Sequence, residues 1–387
     1  RASVLKAKGE DKYIAEKEIS ADLIERIGAE NHFTFTEDWR MCQVENAAKL
    51  DKFIQEVKEL TGSRKVNLYG LSHGGQLTAT YLYYYGAKGD VDRAIMDAPA
   101  IGGTQLVVDL FEGNIHFDVA TLIEYVEIGF RKEYEYEWLV EAFGFDRLNQ
   151  AFNDIIHQYL LDVVINFGSV WDFVPPDKYE EFKTKYLDPV ENAELIAKSD
   201  EMHYNAMAHM SEGLKRAQDA GTKIAIIANT EHDIGTSTGV NSDYIIDVHS
   251  ASGAYCAPFG EKFPADYKKQ NTVCNDPTHW HISPERDIDA SCAYLPENTW
   301  FVNGQFHGMC PWDRYTRNFY LTFFFTDRIT DVYSDKEFPQ FDLGQNPANG
   351  LYVKFDRSPS GFHTAKDTAL TLGAVRHRDN KCQGGRH

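Results

Sequence analysis

The chain has 387 residues, 43% of them apolar and 25% charged, with a formal net charge of −20. That length suits two or three average domains, or one large α/β domain carrying insertions. The acidic balance argues against a nucleic-acid backbone or an anionic membrane surface as partner, and no apolar run reaches the roughly 18 residues of a membrane span.

Residues 16–28 space Ile19, Leu23 and Ile27 as one face of an amphipathic helix, with Gly28 placed to cap it. Phe33 to Phe35 reads as a short strand. A second helix is predicted over Asn46–Leu60, with Ala47, Leu50, Ile54 and Val57 on one stripe and Thr61-Gly62 ending it. Lys65 to Tyr69 then reads as a strand leading into Gly70-Leu71-Ser72-His73-Gly74-Gly75, and Gln76 to Tyr85 as a helix leaving it. Gly70, Ser72 and Gly74 fit the G-x-S-x-G nucleophile elbow, a tight strand-to-helix turn that exposes a serine hydroxyl. Small residues two positions before and after the serine are expected because bulk would clash there. The backbone N–H of His73 is the expected oxyanion donor.

A strand at Ala94–Met96 follows, and strands alternating with helices imply a parallel sheet. From about Gly102 to Gly221 helical, aromatic-rich segments take over, among them Val119–Phe130, Trp138–Phe143, Ala151–Ile165 and Val190–Ala220. Phe117, Tyr125, Phe130, Tyr134, Tyr136, Trp138 and Phe143 are candidates to line an apolar pocket, or are that segment's own core. The sheet resumes at Lys223–Ala228, whose continuous apolar run predicts a buried strand, and again at Thr299–Val302. Tyr315 to Phe325 reads as a helix, and the tail after Arg357 as irregular.

A serine nucleophile needs a base, and the base an orienting carboxylate. After the strand at 223–228 come Asp233, Asp243 and Asp247; after the strand at 299–302 comes His307, in the loop before the last helix. That is the order serine, acid, histidine used by α/β-hydrolases. Spacing alone leaves the three aspartates open.

Phe35-Thr36-Glu37-Asp38-Trp39-Arg40, the elbow, and Ala98-Pro99-Ala100-Ile101-Gly102-Gly103-Thr104 together resemble the lecithin:cholesterol acyltransferase and lysosomal phospholipase family. The resemblance spans roughly residues 16–110 and 222–330. It implies an α/β-hydrolase: a mostly parallel central sheet flanked by helices, with a helical cap inserted. It also aligns Asp243-Tyr244-Ile245-Ile246, followed by Ser250-Ala251, with the family's Asp-Gly-Thr-Val acid loop, and so selects Asp243. The family's glycine at that loop is Tyr244 here. Nothing in Arg1–Tyr13 resembles the family's oxyanion loop.

The resulting division is residues 1–103 and 222–335 as the two parts of the hydrolase core, 104–221 as the cap, and 336–387 as an irregular extension. The expected activity is a serine hydrolase with Ser72, Asp243 and His307 as catalytic residues and His73 as oxyanion donor. It acts on a lipid-type carboxylic ester and passes the acyl group to water or an acceptor alcohol. The alternatives are an esterase, thioesterase or amidase on a non-lipid substrate, and an inactive binding protein on a hydrolase scaffold. No cofactor, no metal and no nucleic-acid partner are expected. A missing N-terminal segment or separate chain would complete the oxyanion hole, since the start at Arg1 reads as a processed or truncated product.

Six cysteines permit disulfides and favour a secreted or lumenal setting, with free thiols as the alternative. His279-Trp280-His281 sets two imidazoles on one side of an extended segment. A zinc or copper site there would need further ligands, of which Asp276 is nearest, and a hydrogen-bonded structural role is the favoured reading. Asp287 and Asp289 lack the spacing of a calcium loop.

Overall fold

The computed structural model describes residues 19–120, 122–123, 137–235 and 239–341. Four parallel strands form its centre: β1 (Val66–Leu71), β2 (Val91–Asp97), β3 (Lys223–Thr230) and β4 (Thr299–Asn303), hydrogen-bonded in that order. Strands covered on both faces must be apolar almost throughout. β3 is buried from its second residue onward and β4 over its whole length.

The two faces follow from the two-residue period of a strand. Ala94, Met96, Ile224 and Ile226 pack on one side against α2 (Gln43–Thr61), α3 (His73–Tyr85) and α5 (Met210–Asp219), through Leu50, Ile54, Leu77, Leu82 and Leu214. Their neighbours Ile95, Ala225 and Ile227, with Trp300 and Val302, pack on the other side against Phe319, Tyr320 and Phe323 of α6 (Arg314–Phe325). Burying one large apolar side chain contributes on the order of 1.5–3 kcal/mol, so these layers hold the sheet. The chain is thus an α/β protein with a parallel sheet flanked by helices. Helix α1 (Ile19–Ile27) sits against α6, where Asp22 pairs with Arg317.

Between β2 and β3 the chain is helical. It opens with α4 (Gln105–Glu112) and continues through helices at 137–143, 145–155, 161–164, 168–172, 176–186 and 193–200, with π-turns at 156–160 and 201–207. Phe111, Trp171, Tyr179, Phe182 and Leu187 make a core of this region's own. Its last part behaves differently: Met202, Met207, Met210 and Leu214 join the sheet's own cluster, so 201–219 forms part of the layer that covers the strands.

Three expectations change. Phe33–Phe35 is not a strand; Phe35 packs on Phe53 of α2, with ring centroids 5.4 Å apart, and takes no place in the sheet. The elbow helix begins at His73 rather than Gln76, because Gly74 and Gly75 are absorbed into its first turn. Trp138 and Phe143 are 61% and 51% exposed, so neither belongs to that segment's buried core. Phe117 packs on Phe152, 6.2 Å between centroids. Tyr125, Phe130, Tyr134, Tyr136 and the tail after Arg357 lie outside the described residues.

Candidate active site

Ser72 follows β1 directly, with φ 56° and ψ −119°, a conformation that costs a non-glycine residue on the order of 1–3 kcal/mol. The turn is held from both sides. The Ser72 N–H donates to the Asp97 carbonyl at 2.8 Å, and the Ser72 carbonyl accepts from the Gln76 N–H at 3.0 Å. Gly70 is required for space: a Cβ there would lie 2.2 Å from the Gly74 carbonyl oxygen. The second crowded position is Gly75, where a Cβ would meet Pro99 Cβ at 2.7 Å. At Gly74 an added Cβ meets nothing within 4 Å. The expectation that the serine's second neighbour on each side must be small therefore holds before the serine and moves one residue along after it.

His307 sits in the loop after β4, and Asp243 in the loop after β3. The His307 N–H donates to the Asp243 carbonyl at 2.9 Å, and His307 Nδ1 lies 2.7 Å from Asp243 Oδ2. The other carboxylate oxygen, Oδ1, accepts the N–H groups of Ile245 and Ile246 at 3.0 and 2.7 Å. These bonds fix the aspartate's orientation, and that in turn fixes the imidazole tautomer: Nδ1 carries the hydrogen and Nε2 the lone pair. The next residue, Tyr244, adopts φ 86°, so the loop keeps a backbone shape that glycine tolerates best. Tyr244 is buried, and its ring contacts Phe306.

Strand register brings these pieces to one edge. Leu71 pairs with Asp97 across β1 and β2, and Thr230 with Asn303 across β3 and β4. Ser72, Asp243 and His307 therefore all follow the C-terminal ends of their strands. An added Cβ on Gly308 would lie 3.9 Å from Leu71 Cδ2, so the His307 loop rests against the residue preceding Ser72.

Sequence reasoning passed over Asp97. It ends β2, is fully buried, and accepts the Tyr69 hydroxyl at 2.7 Å. Burial raises its carboxyl to about 6, against the hydrogen bond from Tyr69 and the charge of His307, which lower it. Burial alone would depress His307. The charge and hydrogen bond of Asp243, together with the charge of Asp97, outweigh that and hold the imidazole above the usual histidine value. A carboxylate closing a central strand just before Ala98-Pro99 was the available signal.

The remaining aspartates have loop-bracing partners. Asp233 accepts the N–H groups of Gly239 and Val240. Asp247 caps the short helix Val248–Ser252 and accepts the Gln105 N–H at 3.0 Å. Asp289 takes bonds from Ser291, Tyr267 and Gln270, and Asp287 from Ser283.

His73 opens α3, so its N–H belongs to the first turn that a helix leaves without an internal partner. Its side chain is engaged elsewhere: Nδ1 lies 2.9 Å from Glu37 Oε1 and the ring packs on Phe173. Arg1–Tyr13, the stretch without a recognisable oxyanion loop, lies outside the described residues. The segment Ala98–Thr104 explains itself as a junction. Pro99 backs Gly75, the Gly102 N–H donates to the Ser250 carbonyl, and the Thr104 hydroxyl donates to the Ile245 carbonyl at 2.6 Å. Gly103, at φ 88°, lets the chain pass the Phe173 carbonyl, which a Cβ would meet at 2.4 Å. The elbow, the acid loop and the helical insertion are thereby tied to one seven-residue stretch.

The five described cysteines, Cys42, Cys256, Cys274, Cys292 and Cys310, are free thiols, so the disulfides allowed by the count do not form among them. Cys310 Sγ donates to Asn229 Oδ1 at 3.0 Å. No described helix is long and apolar enough to cross a membrane. No family model, curated protein or solved structure matches the chain.

Proposed function

We propose that the chain is an α/β-hydrolase whose helical insertion forms a cap, and that it is a serine hydrolase acting on lipid-type carboxylic esters. The observation that carries this reading is the His307–Asp243 pair, 2.7 Å apart, on loops at the same sheet edge as a serine held in a strained strand-to-helix turn. Ser72 Oγ attacks the ester carbonyl carbon and passes its proton to His307 Nε2. Asp243 orients the imidazole and stabilises the imidazolium. The charge that develops on the carbonyl oxygen meets the His73 N–H; one such donor is worth about 10²–10³ in rate. Collapse of the tetrahedral intermediate expels the alcohol, which takes the proton from His307. Water or an acceptor alcohol then attacks the acyl-Ser72 ester with His307 again as base. The lipid character rests on the resemblance of the Asp38-Trp39-Arg40 and Ala98–Thr104 segments.

A fluorophosphonate probe should label wild-type protein at Ser72, read by peptide mass spectrometry, and label neither Ser72→Ala nor, at a comparable rate, His307→Ala. Wild-type protein that stays unlabelled at Ser72 overturns the reading. Among esters of graded acyl length, long chains should be cleaved with the highest kcat/KM; a preference for acetyl esters would point to the non-lipid alternative.

A further inference from the structure

Between Asp243 and β4 the chain makes an excursion that returns as a two-stranded pair, Tyr255–Cys256 with Ile288–Asp289. Within it, Cys274, His279 and His281 each offer one ligand atom, all within 4.8 Å of one another. We propose that these three residues bind a zinc ion, with Glu297 as the fourth ligand, in a structural site that clasps the excursion to the start of β4.

Spacing is the first argument. Cys274 Sγ lies 3.5 Å from His279 Nδ1. In four-coordinate zinc the bonds are about 2.3 Å to sulfur and 2.0–2.1 Å to nitrogen, which at a tetrahedral angle puts the two ligand atoms about 3.5 Å apart. Glu297 Oε1 is 3.0 Å from the same nitrogen. The Cys274 thiol and the Glu297 carboxylate thus both face the same His279 nitrogen.

The tautomer of His281 is the second. Gln340 is buried, and its Nε2 donates to the carbonyls of Pro296 and Thr299 at 2.6 and 3.1 Å. That fixes the amide and leaves its Oε1 facing His281 Nδ1 at 2.9 Å. Nδ1 must then carry the hydrogen, so Nε2 keeps its lone pair, beside the Tyr333 hydroxyl at 3.3 Å. An outer-shell oxygen that orients a histidine in this way is characteristic of metal ligation.

Rigid anchoring is the third. The Val273 and Cys274 N–H groups donate to the Ser291 carbonyl, and the Ala290 N–H to the His281 carbonyl at 2.7 Å. The Lys269 ammonium donates to the carbonyls of Asp276 and His279. Asp276, the ligand the spacing suggested, instead spends its carboxylate on the N–H and hydroxyl of Thr278. A mixed set of thiolate, two imidazoles and one carboxylate suits zinc and is wrong for calcium or magnesium.

The untagged full chain, stripped with a chelator and titrated with zinc against a chromophoric competitor, should take up one equivalent, with a melting temperature that rises with free zinc. Cobalt should give a thiolate-to-metal charge-transfer band. Cys274→Ala should lose that band, and His281→Ala should bind zinc about ten-fold or more weakly, both with wild-type circular dichroism. If either variant fails to fold, alkylation of the wild-type thiols decides: zinc should protect Cys274 from iodoacetamide, read by peptide mass spectrometry. Absence of stoichiometric uptake, or protection of other cysteines with Cys274 left reactive, overturns the site.

Discussion

Of the groups at the sheet edge, His307 carries the most charge information. Its neighbours Asp243 and Asp97 stabilise the protonated ring and raise its pKa above 6.5 despite burial. In the proposed mechanism His307 is the general base, which works in its neutral form, so activity should rise with pH on an acid limb displaced above that of a free histidine. Asp97→Asn removes one of the two charges and keeps the shape that accepts Tyr69. The acid limb of the Ser72 labelling rate should therefore move to lower pH in this variant; an unmoved limb would show that Asp97 does not act on His307. For stability the sign is the opposite: the contribution of a raised histidine is full below pH 6.5 and is lost as pH climbs through the folded value.

The elbow makes its prediction as an element. Gly75 packs on Pro99 and has no room for a methyl group, whereas Gly74 faces open space. Gly75→Ala should destabilise by about 1–3 kcal/mol through overpacking, and should also disturb Ser72. Gly74→Ala should be neutral or stabilising by up to about 1 kcal/mol, since alanine is the better helix former. Urea denaturation of both variants checks this, and equal losses would refute the assigned geometry. The elements themselves were largely legible beforehand. β3 announces itself by its continuous apolar run and α2 by the period of its stripe, and the helix read over Tyr315–Phe325 is found at Arg314–Phe325. Phe33–Phe35 misled because three residues with alternating aromatics look the same whether they pair in a sheet or lie on a helix.

Across the whole molecule, Asp172 joins the insertion to the sheet's helical layer. Its Oδ2 accepts the Gln43 N–H at 2.6 Å, and its carbonyl accepts Gln76 Nε2 at 2.7 Å. Burial raises its carboxyl to about 8, so the folded protein prefers it protonated while the unfolded chain ionises it near 3.8. Stability should then fall between those values by at most about 1.4 kcal/mol per pH unit. Asp172→Asn mimics the protonated acid. Its melting temperature relative to wild type should improve steadily from pH 5 to pH 8; a difference constant with pH would rule out this linkage.

Local pattern was enough to reveal the α/β alternation and the serine in its tight turn, because periodicity and turn chemistry are written in neighbouring residues. Choosing among Asp233, Asp243 and Asp247 by contact needed the tertiary structure: each stands in a loop after β3, and only the return of the chain through β4 sets one of them against His307. The same holds for Asp97, brought to the histidine by strand register, and for Cys274, brought to His279 and His281 by an excursion whose folding no local signal encodes. Long-range contacts of this kind depend on how separate segments pack, and a residue's own neighbours carry no record of that.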